Sequence, residues 1–154
     1  MVKYNYSLEF KEKYNEVILD FSQEDSLNFS YMISDPLGSD ISLRIDELKE
    51  DVDNYIKLLK GHIPRYDHGG NASSVTSYKD VTIIEDPFFD EEEDDTEPIC
   101  KLETIEFVKI ILIWAYENYK YKCKREVITQ EEAELTLNWI EQKIGEVKRL
   151  EEDE

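Results

Sequence analysis

The stretch "TIEFVKIILIWAYENYKY", residues 104 to 121, constrains what the rest of the chain can build. Ile105, Val108, Ile111, Leu112, Ala115 and Tyr119 recur at three and four residues and form one helical stripe. Phe107, Ile110 and Trp114 widen that stripe beyond a single face, so this helix, which Thr104 can cap, must be covered on more than one side. It is expected to sit at the centre of the fold. Its most apolar run, "IILIWAY", follows Lys109 and is far shorter than the roughly 20 residues a bilayer span needs, which predicts core and not membrane.

The first third of the chain supplies material to cover it. Tyr4, Tyr6, Leu8 and Phe10 alternate with polar residues; so do Val17, Leu19 and Phe21, and then Leu27, Phe29, Tyr31 and Ile33. Period two predicts three strands, each with one face on a core, joined by connections too short for parallel crossovers. After the turn "DPLGSD", "ISLRI" can add a short fourth strand. Asp46 then reads as the N-cap of a helix whose stripe is Ile45, Leu48, Val52, Ile56 and Leu59, ended by Gly61. "HIPRYDHGGNASS" fits neither period and reads as loop, and "VTSYKDVTII", residues 75 to 84, reads as one further strand. A last helix opens on "TQEE", Thr129 to Glu132, a capping box, and carries Ala133, Leu137, Ile140, Ile144 and Val147 inward before fraying into an acidic tail. The expected architecture is α+β: an antiparallel sheet of about four to five strands packed against three helices. At 154 residues this makes a single domain, residues 1 to 150, with an acidic loop at 85 to 98 and a tail at 151 to 154.

The net charge of −19 is unevenly spread. Residues 85 to 97 hold nine acids and no base, and the last four residues are all acidic, so these two segments supply thirteen of the negative charges. Such a field repels phosphate backbones and anionic lipid, which argues against direct nucleic-acid or membrane binding and for a cationic partner. The opening "MVKYNYSLEF" has neither the basic head nor the apolar run of a signal peptide. Cys100 and Cys123 lie at opposite ends of the central helix, too far apart to bridge, so reduced thiols in a cytoplasmic setting are expected.

Motifs for chemistry are sparse. His62 and His68 flank "IPRYD", and with Asp67 they are the residues from which a metal-dependent hydrolase would be assembled. No nucleophile signature accompanies them. The two histidines and two cysteines lack the close pairs of a zinc site, and the acidic segment lacks the alternating layout and glycine of a calcium loop. "GG" at 69 and 70 precedes no helix start, so no phosphate cradle is expected. No cofactor, metal or catalytic residue is assigned.

The acidic segment "EDPFFDEEEDDTEP" is the strongest candidate site. Six consecutive acids ordinarily mark a solvated loop. Here prolines stiffen both ends and Phe88 and Phe89 sit in the middle, either anchoring the loop to the core or standing out as apolar contacts ringed by charge. In the second case Asp86, Phe88, Phe89, Asp90, Glu91, Glu92, Glu93, Asp94 and Asp95 form a partner-binding surface: carboxylates steer a basic protein in, and aromatics slow its release.

The aromatic strands "KYNYSLEF" and "LNFSYMISD", the "GGN" turn and the acidic lead into "ETIEFVKIILIWAYENYKY" together resemble the small acidic immunity proteins of bacterial contact-dependent growth inhibition and other polymorphic toxin systems. The resemblance is one of layout and composition across most of the chain. It implies a non-enzymatic protein that binds one cognate toxin domain, often a basic nuclease, and covers its active site or substrate groove. Two other classes remain open: an adaptor that binds through an exposed face of the last helix, and the hydrolase built on His62 and His68.

Overall fold

The computed structural model describes residues 1–69, 71–90, 92 and 96–153. Strands β1 (Ser7–Lys11) and β2 (Glu16–Asp20) form an antiparallel hairpin. Helix α1 (Ile45–Leu59) follows, then a four-stranded antiparallel meander of β3 (Tyr66–Gly69), β4 (Ser74–Ser77), β5 (Val81–Glu85) and β6 (Ile99–Glu103). Helices α2 (Thr104–Lys124) and α3 (Gln130–Glu152) complete the chain. The molecule is therefore mixed α+β with three helices, and its strands form two sheets instead of the single one expected.

Helix α2 takes the central place its sequence demands. It packs against α3, α1, β2, β5 and β6, and Phe107, Ile110, Ile111, Leu112, Trp114 and Ala115 are buried. One cluster of buried side chains runs from Tyr4 through Tyr55 and Trp114 to Val147, so both sheets share a core with all three helices.

Several local expectations are corrected. Residues 27 to 33 are not a strand. Phe29 adopts a left-handed conformation at φ 57°, and Ser30–Ser34 forms a short 3-10 turn that buries the adjacent residues Met32 and Ile33. Local side-chain bonds favour this path over a ladder: the Ser30 hydroxyl donates to the Glu24 carbonyl and the Ser34 hydroxyl to that of Tyr31. "ISLRI" is also not a strand. Ile41 donates to Pro36 O and Gly38 to Ile41 O, closing a turn that Gly38 makes possible at φ 95°. Helix α1 begins one residue before Asp46, with Arg44 at the N-cap, so Asp46 and Glu47 complement the dipole of the first turn instead of capping it. Likewise Glu103 holds the cap position of α2, and the Thr104 hydroxyl is turned to the Tyr78 carbonyl, 2.5 Å away.

The expected strand at 75 to 84 is two strands, broken at Tyr78–Asp80 where Tyr78 N donates to Val81 O. Two further strands are unexpected: β3 lies within the segment that reads as loop, and β6 in the five residues between the acidic loop and the central helix. In β3, half-buried Tyr66 and His68 alternate with exposed Asp67 and Gly69; in β6, Cys100 and Leu102 point inward. Ser77, Thr82 and Thr104 are buried where the meander meets α2, and Thr82 Oγ1 lies 2.9 Å from both other hydroxyls, so the polar groups satisfy one another.

The capping box of α3 forms as expected, with the Glu132 N–H donating to Thr129 Oγ1 at 3.2 Å. Thr129→Ala is expected to lower the unfolding free energy by about 1 kcal/mol, read by urea titration. Beyond it the helix does not fray at the acidic tail: it continues to Glu152, and Glu151 pairs with buried Lys109.

Candidate functional site

The acidic segment leaves the meander at the end of β5. Asp86 organises the exit: its carboxylate accepts from Phe88 N at 2.8 Å and its carbonyl from Phe89 N at 3.3 Å, with Pro87 fixing the intervening backbone. This turn separates the two aromatic rings. Phe88 is 73% exposed, whereas Phe89 is half-buried. Phe88 thus stands outward, and Phe89 is the more sheltered ring. Asp90 repeats the device, its carboxylate accepting from Glu92 N at 2.9 Å. Glu91, Glu93, Asp94 and Asp95 lie outside the described residues.

A further carboxylate belongs to the same neighbourhood. Asp35 follows the Ser30–Ser34 turn, which packs against β5 and β6. Partial burial, and then the nearby Asp86 charge, raise its carboxyl above the usual range. Sequence spacing gives no sign of this pairing, since the two residues are brought together only by the packing of the turn on the meander.

The residues from which a hydrolase would be assembled are dispersed. His62 is exposed just beyond α1. Asp67 faces solvent and is held by Arg65, whose Nε lies 2.9 and 3.0 Å from its two oxygens. His68 points the other way, into a box formed by Tyr55, with near-parallel rings 5.8 Å apart, and Tyr66, edge-on at 4.8 Å. Its Nε2 is buried without a hydrogen bond, 3.7 Å from Asp51 Oδ1, and that oxygen already accepts from the Tyr66 hydroxyl at 2.6 Å. Burial lowers the His68 pKa despite the carboxylates of Asp51, Asp40 and Asp67, which favours the neutral ring. The histidine's acidic neighbour is thus Asp51 of α1, not Asp67 beside it in sequence.

Among the described residues no group of three His, Cys, Asp or Glu side chains is disposed to hold a metal ion, and no helix is long and apolar enough to cross a membrane. Cys100 is buried, which pushes its thiol up to about 11, and both cysteines are free. The outward face of α3 is polar apart from Leu135.

A second surface was not singled out by sequence. Tyr6, Leu8 and Phe10, expected to face the core, remain substantially exposed, and Leu8 and Phe10 share a groove with Glu117, Lys120, Tyr121 and Lys124 from the C-terminal half of α2. Phe10 reaches Tyr121, ring centres 5.1 Å apart, and both line this open groove of about 630 Å³, bordered by Lys120 and Lys124. Its signal in the sequence is the Lys and Tyr content of "ENYKYKCKR" where the helical stripe gives out. No protein-family model, curated protein or solved structure matches this chain.

Proposed function

We propose that this chain is an immunity protein: a non-enzymatic, cytoplasmic inhibitor that binds a cognate toxin domain, a basic nuclease, and covers its active site or substrate groove. The observation that carries the reading is Phe88, 73% exposed and held outward by a turn that Asp86 and Pro87 stiffen, at the head of a run of carboxylates. A large ring kept in water costs solubility, and burying it against a partner recovers hydrophobic free energy without the entropy of first ordering its backbone. Asp86, Asp90, Glu91, Glu92, Glu93, Asp94 and Asp95 supply the steering field, and the same carboxylates suit a groove that otherwise holds phosphates. The dispersal of His62, Asp67 and His68 leaves a hydrolytic reading without an assembled centre. The polar outward face of α3 gives an adaptor no apolar stripe to dock.

The test is inhibition and binding of the toxin domain encoded beside this chain. Phe88→Ala is expected to weaken the complex by about 30-fold, mainly through faster dissociation. Replacing the six acids from Asp90 to Asp95 by their amides should slow association at low salt by about tenfold or more and flatten its salt dependence. Unchanged kinetics in both variants, with inhibition intact, would move the interface off this loop. Absence of any toxic partner rescued by co-expression would remove the immunity role itself.

A further inference from the structure

The two edges of the β1–β2 hairpin are finished differently. On the β2 side, both backbone groups of Val17 are taken by the Asn118 side chain: its Oδ1 accepts from Val17 N and its Nδ2 donates to Val17 O, each at 2.9 Å. Val17 therefore points its N–H and C=O away from β1. In an antiparallel ladder the residue opposite does the same in the other direction. Phe10 is opposite Val17 and Leu8 is opposite Leu19, so the backbone groups of Leu8 and Phe10 point off the outer edge of β1. Among the described residues none hydrogen-bonds to them, and β1 has β2 as its one strand neighbour. An open edge of this kind is a template for another strand.

The edge also has a floor. A strand added beside β1 places alternate side chains on the face that carries Leu8 and Phe10, over the groove that Tyr121, Lys120 and Lys124 border. Phe10, 52% exposed, would be covered by the residue set opposite it.

We propose that β1 of a second copy of this chain occupies that edge, antiparallel and centred on Phe10, to give a twofold dimer whose two hairpins join through residues Glu9 to Lys11 of each β1. Charge selects both the occupant and the register. With Phe10 facing Phe10, Glu9 of each copy faces Lys11 of the other, and the pairing is made twice. Centring on Glu9 would set that carboxylate against itself, and centring on Leu8 would leave Glu9 facing Ser7 with no charge matched. Within one copy Glu9 and Lys11 already lie together on the solvent face, 2.7 Å apart. The surroundings favour self-association at this corner. Lys11, Lys13, Lys120, Lys122, Lys124 and Arg125 gather around the hairpin end, six of the chain's 18 bases, and Lys122 and Arg125 both donate to Asn15 there. They offset Glu9, Glu12, Glu16, Glu117 and Glu126, so a molecule with net charge −19 is close to neutral where the two copies would meet.

Sedimentation equilibrium at physiological salt tests the proposal. The wild-type chain should move with rising concentration from its 18.3 kDa mass to twice that value. Glu9→Lys sets lysine against lysine twice, and Lys11→Glu sets glutamate against glutamate; each should weaken association by about tenfold. The double swap Glu9→Lys with Lys11→Glu restores opposite charges and should return the dimer to within about threefold of wild type. Glu9 is exposed and the Lys11 side chain is 43% exposed, so the unfolding midpoint of dilute protein should hold steady in all variants. A monomer at every concentration up to about a millimolar overturns the proposal. Association that the single changes leave intact, or that the double swap fails to rescue, overturns it equally. None of these changes touches Phe88, so failure here is separable from failure of toxin inhibition.

Discussion

Lys109→Ala is expected to remove about 3–5 kcal/mol of unfolding free energy. The Lys109 ammonium is almost wholly buried on α2, where it bonds Glu106 of the same helix at 2.8 Å, Glu151 near the end of α3, and the Met1 carbonyl. Glu106 is as deeply buried and also accepts from Lys3 N at 2.8 Å. Truncating the lysine leaves that carboxylate without its counter-charge in the core, and detaches the chain's opening residues and the last turn of α3 from α2 together. Losing Glu151 alone is milder, because its side chain is 43% exposed and water can replace it; Glu151→Gln should cost no more than about 1 kcal/mol. The pH dependence has a definite sign. Burial by itself would lower the Lys109 pKa, but the hydrogen bonds and charges of Glu106 and Glu151 outweigh it and hold the group above its ordinary 10.5. A raised lysine contributes its stabilisation in full below 10.5 and loses it as pH climbs through the folded value. The alkaline limb of the wild-type stability curve should accordingly contain a step that Lys109→Ala lacks. Urea titrations of both chains from neutral pH to above 10.5 measure it, and a loss under about 1 kcal/mol at neutral pH would show that the triad contributes little beyond packing.

The same triad shows how far the sequence could be read. The helical stripes of α2 and α3 were legible because their apolar residues repeat over many turns, and the Thr129–Glu132 box was legible because a cap is a local event. Glu151 was not: a carboxylate at the end of an acidic run looks like a solvated tail until a lysine 42 positions earlier is found beneath it. Strands β3 and β6 escaped because each turns only two side chains inward, and their identity comes from neighbours in the meander more than from their own pattern. Leu27 to Ile33 shows the converse, an alternation that serine hydroxyls redirect into a turn. At the candidate site the carboxylates were evident at once, but the opposite exposures of Phe88 and Phe89 depend on where Asp86 sends its two hydrogen bonds, and the pairing of His68 with Asp51 spans a strand and a helix.

Asn118→Leu carries the other large expectation, a loss of about 2–5 kcal/mol. Leucine keeps the branched shape of the amide and leaves no cavity, so the change removes the hydrogen bonds at the cost of a modest increase in bulk. Fully buried Asn118 acts as a short surrogate strand: it satisfies the N–H and C=O of Val17 and, through its second amide hydrogen, bonds the Trp114 carbonyl one turn earlier on α2. Leucine in its place leaves both Val17 groups buried with no partner, and each such group costs about 1–3 kcal/mol. The effect should also be local. Hydrogen exchange at the Val17 amide should accelerate more than at the amides of α3, because β2 would lose its two bonds to α2 at Val17, while Lys122 and Arg125 still hold the turn at Asn15 and Val17, Leu19 and Phe21 stay buried. Should stability stay within about 0.5 kcal/mol of wild type, the backbone groups of Val17 have found other partners. The hairpin's position is then set by its apolar face and not by the asparagine.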